Sequence, residues 1–308
     1  MKSQKPIVIV IGGPTASGKT GLSIALAKEI NGQIISADSM QIYKEMNIGT
    51  AKVTKEEMKG IKHYLIDRVY PNERYSVAQF KEDAEKAIRT ILEEGKVPIV
   101  VGGTGLYINS LIYNIHYEDT KIDEEYRKFL EKRVEEEGLE TLYQEAKVID
   151  EEATRKISEK DQKRILRILE LYHQTGKTKT QLEIESRKEE PKYDYRVFGL
   201  HWEREVLYDR INQRVDQMLK QGLIQEVETI WKKYKEFPTA MQGLGYKEVV
   251  QYLKEEVSYE EMEENIKRES RRYAKRQMTW FRAIPSIKWL EGEEKIQNNI
   301  HIILEGLE

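Results

Sequence analysis

The sequence has 308 residues, of which 39% are hydrophobic and 34% are charged, and its formal net charge at pH 7 is -3. This length suits one substantial core with an additional domain, and a polyanion would need a local basic surface because the chain has no overall positive field. The absence of cysteine excludes disulfides, thiol nucleophiles and cysteine-ligated zinc. No 18-residue apolar segment or signal-type cleavage region occurs, so we expect a cytoplasmic protein without a membrane anchor.

The first third of the chain alternates between strand and helix patterns. Helix patterns fill residues 18–30, up to a stop at Asn31, and residues 76–95, where Ser76 and Gln79 predict a capping box. Such alternation predicts an α/β fold with a parallel sheet flanked by helices, as in P-loop NTPases. Short branched apolar runs predict the strands at residues 6–11, 33–37, 63–67 and 97–101.

The character of the sequence changes at about residue 119. Residues 119–191 are dense in Glu, Lys and Arg with helical periodicity, which predicts an all-α insertion domain. A strand pattern resumes in YRVFGLHW at residues 195–202, so we assign residues 1–118 and 192–308 to one core domain. The chain after Arg204 is predicted to form helices interrupted by QGLGYKE.

The stretch GPTASGKT at residues 13–20, called the phosphate loop below, matches G-x-x-x-x-G-K-[ST] between a strand and a helix. Gly13 and Gly18 allow the backbone to wrap around a phosphate, with N–H groups directed inward. We expect Lys19 to meet the terminal phosphate oxygens and the Thr20 hydroxyl to bind Mg²⁺.

The predicted strand at residues 97–101 is followed by GGTG and carries no acid at its end, unlike a usual nucleotide site. Asp38 follows the predicted strand at residues 33–37 and is expected to face the crevice at the carboxyl edge of the sheet. That carboxylate could assist a metal ion or accept a proton.

Six ordered segments resemble the successive motifs of the bacterial tRNA dimethylallyltransferases, also called tRNA isopentenyltransferases, over essentially the whole chain. The resemblance implies transfer of a dimethylallyl group from dimethylallyl pyrophosphate to N6 of the adenosine 3′ of the anticodon, in tRNAs that read codons beginning with U. The phosphate loop would then hold the pyrophosphate of a prenyl donor and not ATP. Eukaryotic relatives carry a C-terminal zinc finger, so a cysteine-free chain matches the bacterial form, for which a monomer is expected. The six segments are GPTASGKT, SADSMQIYKEMNIGTAK, VGGTGLY, DQKRILRILELYHQTGK, QGLGYKE and AKRQMTWFR.

On this resemblance Asp38 is the expected general base, with a role as a cap or metal helper as the alternative. Thr104 is expected to act with it across the crevice and to contact the tRNA, although the sequence alone marks it only as a turn residue. Arg210 and Arg214, one helical turn apart, either clamp the pyrophosphate or are solvated helix charges. The predicted pyrophosphate site comprises Gly13, Pro14, Thr15, Ala16, Ser17, Gly18, Lys19, Thr20, Arg210 and Arg214.

A basic segment, residues 267–282, contains seven basic residues and one acidic residue, and its cations recur at helical spacing. Its aromatic residues could stack on splayed bases or pack into the core. Gln41 is expected to contact the N6 and N7 edge of the target adenine. The tRNA anticodon stem-loop contacts implied by the resemblance involve Asp38, Ser39, Met40, Gln41, Thr104, Arg127, Gln162, Lys163, Arg164, Ile165, Leu166, Arg167, Gln242, Gly243, Gly245, Tyr246, Lys247, Lys275, Arg276, Gln277, Trp280 and Arg282.

Two other functions share the phosphate loop. A small-molecule or nucleotide kinase would explain residues 13–20 equally well, but it leaves the basic segment and the downstream motifs without a role. A non-catalytic RNA-binding switch gated by a nucleotide is the second alternative. Labelled ATP and labelled dimethylallyl pyrophosphate distinguish these possibilities, because only a transferase places a prenyl label on tRNA.

Overall fold

The computed structural model describes residues 5–117, 123–187 and 189–307, and the chain divides into two compact units. The core unit comprises Met1–Ile112 and Pro191–Glu308, and the helical unit comprises Tyr113–Glu190. The predicted start of the insertion, at residues 118 and 119, lies outside the described residues.

Among the described residues, the core unit contains one sheet of six parallel strands in the order β3-β2-β4-β1-β5-β6. Branched residues such as Ile9 and Ile99 are fully buried because helices cover both faces of the sheet. The predicted α/β class with a parallel sheet is confirmed. The strands are β1 (Ile7–Gly12), β2 (Gly32–Ser36), β3 (His63–Tyr64), β4 (Val97–Gly102), β5 (Asp194–His201) and β6 (Lys288–Glu291).

Helices make up most of the remaining chain, and none of those in the described segments has both the length and the apolar character needed to cross a membrane. The capping box at the start of the third helix is present, because Gln79 N–H donates to Ser76 Oγ and Ser76 N–H donates to Gln79 Oε1. The helices are α1 (Lys19–Glu29), α2 (Lys55–Met58), α3 (Val77–Glu93), α4 (Gly105–Ile112), α5 (Glu124–Glu137), α6 (Leu139–Ile149), α7 (Glu151–Thr154), α8 (Gln162–Thr175), α9 (Lys179–Glu185), α10 (Arg204–Lys220), α11 (Leu223–Lys233), α12 (Tyr246–Leu253), α13 (Tyr259–Arg282) and α14 (Ile296–Glu305).

Two strands differ from the sequence-based expectation. The strand predicted at residues 63–67 ends after Tyr64, because Leu65 and Asp67 adopt left-handed backbone conformations with φ of 61° and 55°. Strand β6 was not predicted, and the expectation that only helices follow Arg204 is wrong. Its four residues contain a single fully buried side chain, that of Leu290, so they carry no run of branched apolar residues.

Three neighbouring strands, β2, β4 and β1, end at the same edge of the sheet. Because the strands are parallel, the segments that follow them are brought together there. These segments are the phosphate loop after β1, Asp38 after β2, and Gly103 with Thr104 after β4. The helical unit has its own apolar core, to which Leu130, Leu142, Ile165, Leu166 and Leu169 contribute.

Candidate active site

The phosphate loop connects β1 to α1 in a tight turn. Positive φ angles at Gly13 (151°), Ala16 (61°) and Gly18 (90°) form the curve. The Lys19 amine donates to the Pro14 carbonyl at 2.6 Å and approaches Ser17 Oγ at 3.4 Å. The amine therefore lies across the mouth of the loop, where a phosphate oxygen would meet it.

The surroundings of Lys19 destabilise its positive charge. Burial lowers the pKa of Lys19 from 10.5 to about 7, and the nearby Arg214 guanidinium adds to this effect, while the Asp38 carboxylate opposes it. A cation that is poorly solvated and repelled by a second cation gains much from an anionic ligand. The site is therefore electrostatically prepared for a polyanion.

One wall of the phosphate loop comes from β5 and α10. The Trp202 indole N–H donates to the Ser17 carbonyl at 2.9 Å, and Arg210 Nε donates to the Ala16 carbonyl at 2.9 Å. The Arg210 guanidinium also stacks on the Trp202 ring, 4.2 Å from its centroid. The sequence analysis did not predict this role of Trp202, because a tryptophan after a strand does not indicate which loop it contacts.

The two arginines of α10 do not behave as solvated helix charges. Arg210 is fixed against the phosphate loop by the contacts just described. Burial lowers the pKa of Arg214, although the carboxylate of Asp38 acts in the opposite direction. Together with Lys19, the two guanidiniums surround the loop with positive charge, in agreement with the clamp interpretation.

Asp38 follows β2 in a tight turn. Its Oδ1 accepts hydrogen bonds from the N–H groups of Met40 at 2.8 Å and Gln41 at 3.3 Å. Among the described residues Oδ2 has no hydrogen-bond partner. Thr104 faces this turn from the segment after β4, where its Oγ1 accepts from the Ser39 N–H at 3.0 Å. The structure therefore brings together the two residues predicted to be catalytic.

The predicted adenine contact of Gln41 does not fit the structure. Its side-chain amide connects β2 to the loop, because Oε1 accepts from Ser36 Oγ and Nε2 donates to the carbonyls of Thr50 and Ala51. A bidentate contact with a base would require these bonds to break. Gln41 instead stabilises the loop that carries Asp38.

A carboxylate of α11 anchors the far end of this loop. Glu226 accepts three backbone hydrogen bonds, from Asn47 at 2.9 Å, Ile48 at 2.8 Å and Gly49 at 3.1 Å. The Tyr246 hydroxyl donates to the same carboxylate at 2.6 Å and is fully buried. The predicted RNA contact of Tyr246 is therefore wrong for its side chain, which is part of the core.

The QGLGYKE segment packs against the turn that contains Asp38. A Cβ at Gly243 would lie 2.4 Å from the Met40 methyl group, so a larger residue there would displace the Met40 side chain. Gly243 and Gly245 are buried, whereas Gln242 and Lys247 are exposed. Only the latter two of the predicted RNA-binding residues in this segment present side chains to solvent.

Helix α13 has one polar outer face and one buried face. Lys275, Arg276, Trp280 and Arg282 are exposed, in agreement with their predicted position on an RNA-facing surface. Phe281 is fully buried, where it lies against Gly12 and packs into the core.

Gln277 departs from its predicted position on that outer surface. It is 5% exposed, and its Oε1 accepts from the Thr15 N–H at 2.9 Å. The predicted RNA contact of Gln277 is thus wrong for its side chain. The Thr15 N–H is likewise directed at Gln277 and not inward at a phosphate.

The helical unit exposes three of its predicted RNA-binding residues, Gln162, Lys163 and Arg164, at the start of α8. Ile165 and Leu166 are fully buried in the core of this unit, so their side chains cannot contact RNA. The spacing of apolar residues in α8 places those two on the inner face.

The predicted RNA-binding residues Arg127 and Arg167 share a buried carboxylate within the helical unit. Arg127 Nη1 donates to Glu170 Oε1 at 2.8 Å, and Arg167 Nη1 donates to Glu170 Oε2 at 3.5 Å. Glu170 thus orients both guanidiniums and joins α5 to α8.

Comparisons with known proteins agree with one another. Residues 41–284 match the family model described as IPP transferase. The tRNA dimethylallyltransferase of Acetivibrio thermocellus is 54% identical over 303 residues, which cover 96% of this chain and 97% of that protein. Among solved structures, the tRNA isopentenylpyrophosphate transferase of Bacillus halodurans superposes with a TM-score of 0.73 at 41% identity, over 99% of this chain and 97% of that one. A eukaryotic dimethylallyltransferase acting on tRNA superposes with a TM-score of 0.82 at 31% identity, over 98% of this chain and 79% of that one.

Proposed function

This chain belongs to the IPP transferase family, and we propose from its site that it transfers a dimethylallyl group from dimethylallyl pyrophosphate to N6 of a tRNA adenosine. The acceptor is the adenosine 3′ of the anticodon in tRNAs that read codons beginning with U, and pyrophosphate is released. The observation that carries this proposal is that Lys19 and Arg210 are bound to the phosphate loop at the sheet edge where the turn of Asp38 also lies.

The phosphate loop holds the leaving group. As N6 attacks the allylic carbon, a C–N bond forms and a C–O bond breaks, and the electron pair departs with pyrophosphate. Lys19, Arg210 and Arg214 stabilise the negative charge that develops on the departing oxygens. Arg210 is already held in place by Ala16 and Trp202. Its guanidinium therefore needs no rearrangement during the reaction, which would cost free energy.

Asp38 relieves the nitrogen of its proton. An adenine amino group is weakly nucleophilic but becomes strongly acidic as the new bond forms, so a carboxylate accepts the proton late in the step. One oxygen of Asp38 is held by backbone N–H groups, and the other is available to the substrate. Thr104 supports this geometry through Ser39.

We propose that Mg²⁺ binds with the pyrophosphate. Thr20, at the start of α1 beside Lys19, offers a hydroxyl, which is the kind of hard oxygen ligand that this ion prefers. Within the described segments no group of three or more His, Cys, Asp or Glu side chains could hold a metal by itself, so pyrophosphate oxygens and water would complete the coordination. When bound, the ion neutralises charge on the leaving group.

The exposed face of α13 and the start of α8 are proposed to grip the anticodon stem-loop. The target base must leave its stack to reach Asp38, and this extrusion costs a few kcal/mol. Lys275 and Arg282 have no ion-pair partner among the described residues and are available to phosphates. Trp280 is 43% exposed and packs against Gly105, next to Thr104, where an unstacked base could lie on its ring. We further propose that the enzyme is monomeric and acts in the cytoplasm.

Mass spectrometry of an anticodon stem-loop tests this function. The purified protein is incubated with Mg²⁺, the stem-loop and dimethylallyl pyrophosphate, and the RNA is expected to gain one dimethylallyl group at the target adenosine. A stem-loop with guanosine at that position is the matched control and should gain nothing. A parallel incubation contains ATP in place of dimethylallyl pyrophosphate. Phosphate release from ATP there, with no prenylated RNA in the first incubation, would overturn the proposal in favour of a kinase.

A further inference from the structure

The Gln277 side chain joins two loops that come from distant parts of the sequence. Its Oε1 accepts from the Thr15 N–H in the phosphate loop at 2.9 Å, and its Nε2 donates to the Gly103 carbonyl after β4 at 2.9 Å. The residue is 5% exposed, so its carboxamide is largely shielded from solvent. A buried amide with both ends satisfied fixes the positions of its partners.

Gly103 gives the Gln277 carboxamide room to approach. A Cβ at Gly103 would lie 2.1 Å from Gln277 Nε2, so the second glycine of GGTG is required for the approach of Gln277. Tyr273 lies one helical turn earlier, and burial raises the pKa of Tyr273 to about 12, so its hydroxyl stays protonated near neutral pH.

A continuous chain of contacts therefore connects the pyrophosphate side of the site to the base. It runs from Thr15 through Gln277 to Gly103, and the next residue, Thr104, holds the turn of Asp38 by accepting from the Ser39 N–H. We propose that Gln277 is a positioning residue that sets the separation between the phosphate loop and Asp38 during transfer. This inference rests on the proposed function and adds a residue to it.

The outer face of the same helix carries the proposed RNA contacts. Lys275 and Arg276 precede Gln277 directly, and Trp280 lies one turn later. RNA that binds to this face contacts the helix whose Gln277 holds both loops. A shift of α13 would therefore move the phosphate loop and the turn of Asp38 through Gln277. In the prenyl transfer the leaving group and the base lie on opposite sides of the reacting atoms, so an error of about 1 Å between the loops costs roughly 10²-fold in rate.

Two variants of Gln277 test the proposal. Gln277→Met keeps the length of the side chain and removes both hydrogen bonds. Gln277→Glu keeps an acceptor for the Thr15 N–H, but only its neutral form can donate to the Gly103 carbonyl. Gln251→Met, at an exposed position of α12, is the matched control for the same chemical change. The measurements are single-turnover transfer to the stem-loop, stem-loop affinity, affinity for inorganic pyrophosphate with Mg²⁺, and the melting temperature.

For Gln277→Met we expect the transfer rate to fall roughly 10²-fold, with stem-loop affinity within about twofold of wild type. The melting temperature should fall by no more than about 5 °C. The rate of Gln277→Glu relative to wild type should rise roughly tenfold as the pH falls from about 8.5 to about 6, because burial favours the neutral carboxyl, which restores the donor. The relative rate of Gln277→Met should not change with pH, and Gln251→Met should match wild type throughout.

A transfer rate of Gln277→Met within about threefold of wild type overturns the proposal. Parallel losses of stem-loop affinity and transfer also overturn it, because they would make Gln277 a direct RNA contact. If the transfer rate of Gln277→Glu relative to wild type stays constant over this pH range, the hydrogen bond to the Gly103 carbonyl does not position the loops. Failure of the proposed function would appear separately, as a wild-type protein that binds pyrophosphate with Mg²⁺ but transfers no prenyl group.

Discussion

Replacement of Lys19 by methionine is expected to stabilise the fold while abolishing transfer. Burial and the Arg214 guanidinium lower the pKa of Lys19 from 10.5 to about 7. A tenfold change in proton affinity is about 1.4 kcal/mol, so the charge destabilises the folded protein by at most roughly 5 kcal/mol at pH 7 or below. Lys19 keeps some contact with solvent, and methionine also loses the bond to Pro14, so we expect a net gain of about 2 kcal/mol.

The direction of the pH dependence follows from the lowered pKa. Between pH 7 and pH 10.5 the unfolded chain holds a proton on Lys19 that the folded protein has released. Wild-type stability therefore rises with pH across this window, relative to a chain without the amine. The advantage of Lys19→Met should be greatest at about pH 7 and below and should shrink toward about pH 10.

Urea unfolding followed by tryptophan fluorescence measures this difference, because all four tryptophans, at positions 202, 231, 280 and 289, lie in the core unit. Lys28→Met, at an exposed position of the same helix, is the matched control and should change the free energy of unfolding by less than about 0.5 kcal/mol at every pH. A Lys19→Met protein that is no more stable than wild type at pH 7, or an advantage that stays constant with pH, would refute the reasoning.

Three further outcomes are expected. Asp38→Asn keeps the hydrogen bonds from the turn but cannot take a proton, so single-turnover transfer should fall roughly 10²- to 10⁴-fold with stem-loop affinity unchanged; near-normal turnover would contradict its role as the base. Glu226→Gln should lower the free energy of unfolding in urea by about 2 kcal/mol, whereas Glu228→Gln on the same helix should change it little. Lys275→Gln should reduce the slope of log Kd against log salt concentration for the stem-loop by about 1, and an unchanged slope would exclude a phosphate contact there.

Structural features that depend on neighbouring residues in the chain could be predicted from the sequence. The branched runs of the central strands, the capping box at Ser76 and the glycine pattern of the phosphate loop each depend on residues within a few positions. The order of these signals was sufficient for the α/β class, and the parallel sheet then placed Asp38 and Thr104 at one edge.

Contacts between distant segments had no comparable signal. Gln277 meets Thr15 across 262 positions, and Trp202 meets Ser17 across 185 positions. The family resemblance placed Tyr246 and Gln277 on an RNA-binding surface, but which side of a helix is buried depends on the elements that pack against it. Both side chains were therefore assigned to the wrong environment.

The order of the strands has a consequence for synthesis of the protein on the ribosome. The first strand of the chain lies between β4 and β5, so its second neighbour emerges only after the whole helical unit has been translated. Gln277 and β6 follow later still. The nascent chain must therefore hold an apolar β1 that is paired only with β4 until β5 (Asp194–His201) has been made, and it can assemble a competent catalytic centre only when translation is almost complete.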